Sequence, residues 1–212
     1  MPTLRELWEN NYLSKPSGTF SWNQEIPAAS LYFFRKYVVD IKGPVIDVGG
    51  GDSHLVDHLL KEGYQDITVL DIAQSAIKGV QERLGEQAKQ IKWIVSDILE
   101  WEPTKTYAVW HDRAAFHFLT QPKKIQQYLT LVRHCVTGLL IMGTFSTEGP
   151  DKCSGLPVQQ YDEQRMRTLI EPLGFEFLES LREDHITPSG NKQNFIFCGF
   201  QKNAAPAKNG KS

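Results

Sequence analysis

The segment Val45-Ile46-Asp47-Val48-Gly49-Gly50-Gly51-Asp52-Ser53 places a carboxylate inside a short apolar run that ends in three glycines. Glycines there permit a tight turn and close approach of a ligand to the backbone. The helix that opens at about Ser53 then offers free N–H groups to ligand oxygens. Twenty residues after Gly51, a second apolar run closes on Asp71. A carboxylate at that place can accept hydrogen bonds from both hydroxyls of a ribose. Strand, glycine loop, helix, strand and acid together describe a nucleoside-binding crevice.

The dinucleotide fingerprint GxGxxG is incomplete, because His54 stands where its third glycine belongs. Asp47, two residues before the first glycine, is suited to pairing with a cation. S-adenosylmethionine carries an α-amino group and a sulfonium, so an acid at this spot makes chemical sense. A nicotinamide-dependent oxidoreductase is the competing enzyme reading, and these same features argue against it.

A second cluster lies in Trp110-His111-Asp112-Arg113-Ala114-Ala115-Phe116-His117. It follows the predicted fourth strand, where open α/β sheets bind ligands. His111 or His117 could take or relay a proton, since imidazole titrates near physiological pH. Asp112 could orient the imidazole or form an ion pair with Arg113. The plain alternative for each histidine is a packed core residue. Residues 143–157, with glycines and prolines and no periodicity, are expected to form a loop walling an acceptor pocket. Lys152 beside Cys153 is expected to lower the thiol pKa, although direct displacement needs no enzyme nucleophile. His185 is expected in a solvated loop.

The elements that must hold these residues follow from periodicity. Strands are predicted at 45–48, 67–70, 91–95, 107–110 and 139–145, and helices at 28–39, 53–62, 73–84 and 121–136. A further helix at 161–172 and strands at 175–181 and 194–200 complete the chain, the last two as a hairpin. The fold class is α/β: a mostly parallel sheet with helices on both faces and a C-terminal antiparallel hairpin. Residues 1–26 read as a helical cover, 27–201 as one domain and 202–212 as a disordered tail.

Composition narrows the function classes. The 212 residues are 41% hydrophobic and 23% charged, with net charge −2, which fits a globular chain. The pI of about 6.3 provides no basic field for nucleic acid or a membrane surface. No apolar run reaches membrane-spanning length, and MPTLRELWEN has no signal-like apolar region. Three cysteines without a CxxC pair fit a reducing cytoplasm, and no metal site is expected.

These motifs resemble class I S-adenosylmethionine-dependent methyltransferases, which have a Rossmann-like seven-stranded sheet. The resemblance covers residues 20 to 201, with Asp47, Gly49 and Gly51 matching the family's acid-x-Gly-x-Gly-x-Gly and Ser53 replacing its third glycine. It implies that Asp47 meets the methionine amino group and that Gly49 and Gly51 line the methionine moiety, with Gly50 in the same set. It implies that Asp71 holds the ribose and that Ile72 packs on the adenine. Asp97 would accept from the adenine amine and Ile98 would cover the ring, with Ser96 and His111 also counted among the cofactor contacts. Asp97 by itself would read as a turn or helix cap. Trp22 is similar to a segment that closes over the cofactor, and reads equally as a core aromatic of the cover. The string from Asp112 to Leu119 resembles thiopurine and related small-molecule thiol methyltransferases. This implies a small-molecule acceptor, with catalytic residues expected at His111, Asp112 and His117. The alternatives are a protein lysine methyltransferase, whose group has Asp-Lys-Gly at this place, and a non-catalytic S-adenosylmethionine-binding module.

Overall fold

The computed structural model describes residues 2–14 and 18–204. The core is one seven-stranded sheet built from β1 (Val45–Val48), β2 (Ile67–Asp71), β3 (Ile91–Val95), β4 (Tyr107–Arg113), β5 (Val136–Phe145), β8 (Phe175–Ile186) and β9 (Lys192–Lys202). Their order is β3-β2-β1-β4-β5-β9-β8. The first five are parallel, and β9 runs antiparallel to both β5 and β8. The order reverses beside β1, which opens a crevice at the carboxyl ends of β1 and β4. The remaining strands, β6 (Lys152–Cys153) and β7 (Leu156–Pro157), form a small hairpin of their own. The expected irregular loop 143–157 is therefore partly ordered.

Among the described residues six α-helices accompany the sheet: α1 (Leu4–Leu13), α2 (Ala28–Tyr37), α3 (Leu55–Lys61), α4 (Gln74–Leu84), α5 (Pro122–Cys135) and α6 (Glu163–Ile170). Their boundaries follow local chemistry. A Thr3–Glu6 capping box starts α1, Pro122 fits the first turn of α5, and Asp162 caps α6. Apolar side chains of α2, α3 and α4 fill one face of the sheet. Those of α5 and α6 fill the other. All four residues of β1 are buried, as a strand covered on both faces requires.

Two boundaries differ from the prediction in ways that matter. β4 runs on to Arg113, so His111, Asp112 and Arg113 are strand residues and alternate between faces. β8 runs to Ile186, so His185 is in a strand and buried rather than in a solvated loop. β9 includes Lys202, and the rest of the tail predicted as disordered, from residue 205, lies outside the described residues.

Candidate functional site

A cleft of about 1110 Å³, mouth included, opens at the reversal point of the sheet. Its floor is built from Asp47, Gly49, Gly50, Asp71, Ile72, Ser96, Asp97, Ile98 and His111. Trp22 lines it too, so every residue expected to bind cofactor is in the wall except Gly51. Gly51 instead braces the turn from behind, its N–H donating to Asp71 Oδ2 at 3.0 Å. A Cβ there would lie 2.5 Å from Ala76 Cβ and 2.6 Å from Asp71 Oδ2. Gly49 turns the chain at φ +70°, with Ala115 Cβ only 2.8 Å from where a Cβ would sit. Ser53, at the third-glycine position, accepts the Leu55 N–H on Oγ and so helps start α3.

Asp71 is buried at the end of β2. Oδ2 accepts from Gly51 and Oδ1 accepts the Ala73 N–H at 2.8 Å. Burial pushes its pKa up to about 6, against the effect of those two bonds. Each oxygen keeps a lone pair for a further donor. Asp97 Oδ1 accepts the Leu99 N–H at 2.9 Å, the turn role expected of it, and the residue lines the cleft.

Asp47 and His111 are direct cross-strand neighbours of β1 and β4. His111 Nδ1–H donates to Asp47 Oδ1 at 2.7 Å. Its Nε2 is hydrogen-bonded to the Ser30 hydroxyl at 2.8 Å. Both ring nitrogens are thus engaged, and the imidazole orients Asp47 rather than standing free as a base. Asp47 Oδ2 is buried, has no partner among the described residues, and belongs to a residue of the cleft wall. A buried carboxylate oxygen left bare is a poor structural device and a good receptor for an ammonium group.

The other two expected catalytic residues are not part of the cleft wall. Asp112 points to the opposite face from its strand neighbours. It accepts from the Ala115 and Phe116 N–H groups and from the Tyr128 hydroxyl at 2.5 Å. It pairs neither with Arg113 nor with a histidine. His117 is buried, and its Nδ1 accepts the Phe145 N–H at 3.3 Å. Burial, with a smaller effect of the Arg113 charge, drives its pKa down to about 3, so it stays neutral. Cys153 does reach the cleft, on the β6–β7 hairpin, but burial pushes its pKa up to about 11, opposite to the shift expected from Lys152.

Several cleft residues escaped the sequence reading. Leu4, Trp8 and Tyr12 of α1 line the cleft, as do Gln24 and Arg113. Trp22 stacks on Phe20 at 4.8 Å and meets Trp8 and Tyr12 edge-on, so it is both a cleft residue and part of an aromatic cluster. Helix α1 is held down by Glu9. Its carboxylate accepts the Gln74 and Ser75 N–H groups at 2.5 and 3.0 Å, at the start of α4, whose own N-cap Ala73 has no side-chain acceptor. Partial burial works to raise the Glu9 pKa, and the bonds from Ser75 and Gln74 outweigh it.

Comparison with known proteins agrees with this geometry. Residues 45–138 match the family described as Methyltransferase domain. A malonyl-[acyl-carrier protein] O-methyltransferase from Anoxybacillus flavithermus is 30% identical over 166 residues, covering 75% of this chain and 62% of that protein. An eEF1A lysine and N-terminal methyltransferase from Mus musculus is 28% identical over 109 residues, covering 51% of this chain and 15% of that protein. The chain therefore spans less than two thirds of either relative. Among solved structures, a methyltransferase from Anabaena variabilis superposes with TM-score 0.72 at 14% identity, covering 96% of each chain. The 1,6-didemethyltoxoflavin-N1-methyltransferase of Burkholderia thailandensis superposes with TM-score 0.69 at 15% identity, covering 93% of this chain and 88% of that one. Residues 45–138 thus carry a methyltransferase-domain signature, and the chain has the fold of the class I S-adenosylmethionine-dependent methyltransferases.

Proposed function

We propose that the cleft binds S-adenosylmethionine and that the chain directs its methyl group to a small-molecule acceptor by in-line displacement. The observation that carries this reading is the bare, buried Oδ2 of Asp47 in the cleft wall. Asp47 would hold the ammonium of the methionine end, Asp71 the ribose hydroxyls, and Asp97 with Ile72 and Ile98 the adenine. When bound, the sulfonium supplies an electrophilic methyl group. The side chains align the reactants and exclude water. The roof formed by Trp8, Tyr12 and Trp22 supports a small acceptor over an exposed protein side chain. We also assign α1 together with the segment through Trp22 as the cover of a single catalytic domain. Cys135, Cys153 and Cys198 are free thiols, in keeping with a reducing compartment, for which we propose the cytoplasm. Among the described residues no helix is long and apolar enough to cross a membrane. Thiol, amine and carboxylate acceptors incubated with methyl-labelled donor test the reading. Labelled product from a small acceptor supports it, whereas label found only on added protein favours the lysine methyltransferase alternative.

His111 acts as a positioning residue for Asp47. In His111→Ala, S-adenosylhomocysteine affinity should fall about tenfold, as for loss of a charge-assisted hydrogen bond. Affinity for 5′-methylthioadenosine, which lacks the amino acid end, should change by less than about twofold. Calorimetry with both ligands makes the comparison, and an equal loss for both would reduce His111 to a packing role.

Glu9→Gln should loosen the cover. Loss of a capping interaction worth about 1 kcal/mol predicts a roughly fivefold faster release of S-adenosylhomocysteine. Stopped-flow tryptophan fluorescence reports it through Trp8 and Trp22, and an unchanged rate would show that Glu9 does not hold the cover.

A further inference from the structure

The cleft wall carries a cation, Arg113, that makes no close ion pair among the described residues, although the charges of Glu183 and Asp47 act on it. Arg113 Nη1 donates to the Trp22 carbonyl at 2.9 Å, and its guanidinium lies 4.8 Å from the centre of the Phe195 ring. Its Nε and Nη2 are buried and, among the described residues, have no hydrogen-bond partner. Glu183 of β8 gives its oxygens to Gln24 Nε2 at 2.6 Å and to the Ala29 N–H at 3.3 Å, so it acts on the guanidinium by charge and not by a hydrogen bond. The Oε1 of Gln24, another cleft residue, is likewise buried and unpartnered. A buried guanidinium with two idle donors is costly unless something bound accepts from them. A carboxylate matches its planar fork.

Among the described residues, the histidines and the thiol around Arg113 are not free to take a proton. Cys153 remains a thiol, His185 Nε2–H donates to the Ser21 carbonyl at 2.6 Å, and His117 sits behind the wall with its acceptor nitrogen occupied. His111 is spent on Asp47 and Ser30. An ammonium or hydroxyl acceptor would have to lose a proton here, whereas a carboxylate has none to lose.

We propose that the acceptor is a carboxylate-bearing small molecule, that its carboxylate pairs with Arg113, and that one of its oxygens is the atom methylated. The carboxylate oxygen forms the new O–C bond with its own lone pair. The electrons of the breaking C–S bond go to sulfur, and no proton changes hands. The proposal rests on the methyl-donor reading above and narrows its acceptor.

The test uses the full chain saturated with S-adenosylhomocysteine. Aliphatic monocarboxylates from acetate to octanoate, with benzoate and phenylacetate, are titrated beside their primary amides. At least one acid should bind about tenfold to a hundredfold more tightly than its amide, the scale of a charge-assisted contact. Arg113→Gln should remove that preference, Arg113→Lys should restore part of it, and S-adenosylhomocysteine affinity should stay unchanged in both. With methyl-labelled donor, the preferred acid should give a product that releases labelled methanol in mild base, as an ester does. No binding of any acid, equal binding of acid and amide, or a preference that survives Arg113→Gln would overturn the proposal. So would a base-stable product. Loss of S-adenosylhomocysteine affinity in Arg113→Gln would overturn it too, by assigning the guanidinium to the donor's own carboxylate. If the wild-type chain binds no S-adenosylhomocysteine, the donor reading fails first and this one falls with it.

Discussion

Asp71→Ala should lose S-adenosylhomocysteine binding by about a hundredfold or more, beyond the range of ordinary calorimetry for a micromolar ligand. Two losses combine. The ribose hydroxyls lose a charged acceptor in a buried site. The Gly51 and Ala73 N–H groups lose the oxygens that hold the glycine turn and the start of α4 in place. The wild-type protein offers a second view of the same carboxylate. Burial raises its pKa to about 6, so acidification through that value protonates it in the folded protein and removes an acceptor lone pair. S-adenosylhomocysteine affinity should therefore be full above that pH and fall below it. 5′-Methylthioadenosine, which keeps the ribose, should follow the same curve. Affinity that is flat across that range would disconnect Asp71 from the sugar.

Asp112→Ala should instead strike folding, by about 3–5 kcal/mol, because it strands buried donors that the carboxylate now satisfies. Those donors are the Ala115 and Phe116 N–H groups and the Tyr128 hydroxyl, which itself accepts from Trp110 Nε1 at 3.0 Å. Asp112→Asn keeps an acceptor oxygen for the two amides and should lose less than half as much. Urea unfolding measures both. The fraction of Asp112→Ala that folds should bind S-adenosylhomocysteine as wild type does. Normal stability with lost methyl transfer would return Asp112 to the catalytic role first expected of it.

The convergence of Asp47, Asp71 and Asp97 on one cleft was legible in the sequence because they lie at or near strand ends. Asp47, Asp71 and the run Ser96-Asp97-Ile98 each close or follow a strand marked by an apolar run, so their arrival at one edge follows from the parallel sheet alone. The acceptor half was misread through a single boundary. Ending β4 at Trp110 made His111, Asp112 and Arg113 look like one cluster in a loop. Within a strand they alternate, so Asp112 turns to Tyr128 while His111 and Arg113 turn to the cleft. Ser30, Glu9 and Tyr12 belong to the site through tertiary packing of helices distant in sequence, and no local pattern announces that. The thiol of Cys153 shifted upward because burial outweighed the neighbouring charge, and burial of a hairpin residue depends on where the hairpin folds back.

The most direct test of the account is calorimetric titration of the wild-type chain with S-adenosylhomocysteine and, separately, with NAD. The account predicts saturable micromolar binding of the first and no heat from the second. Binding of NAD with no response to S-adenosylhomocysteine would contradict it.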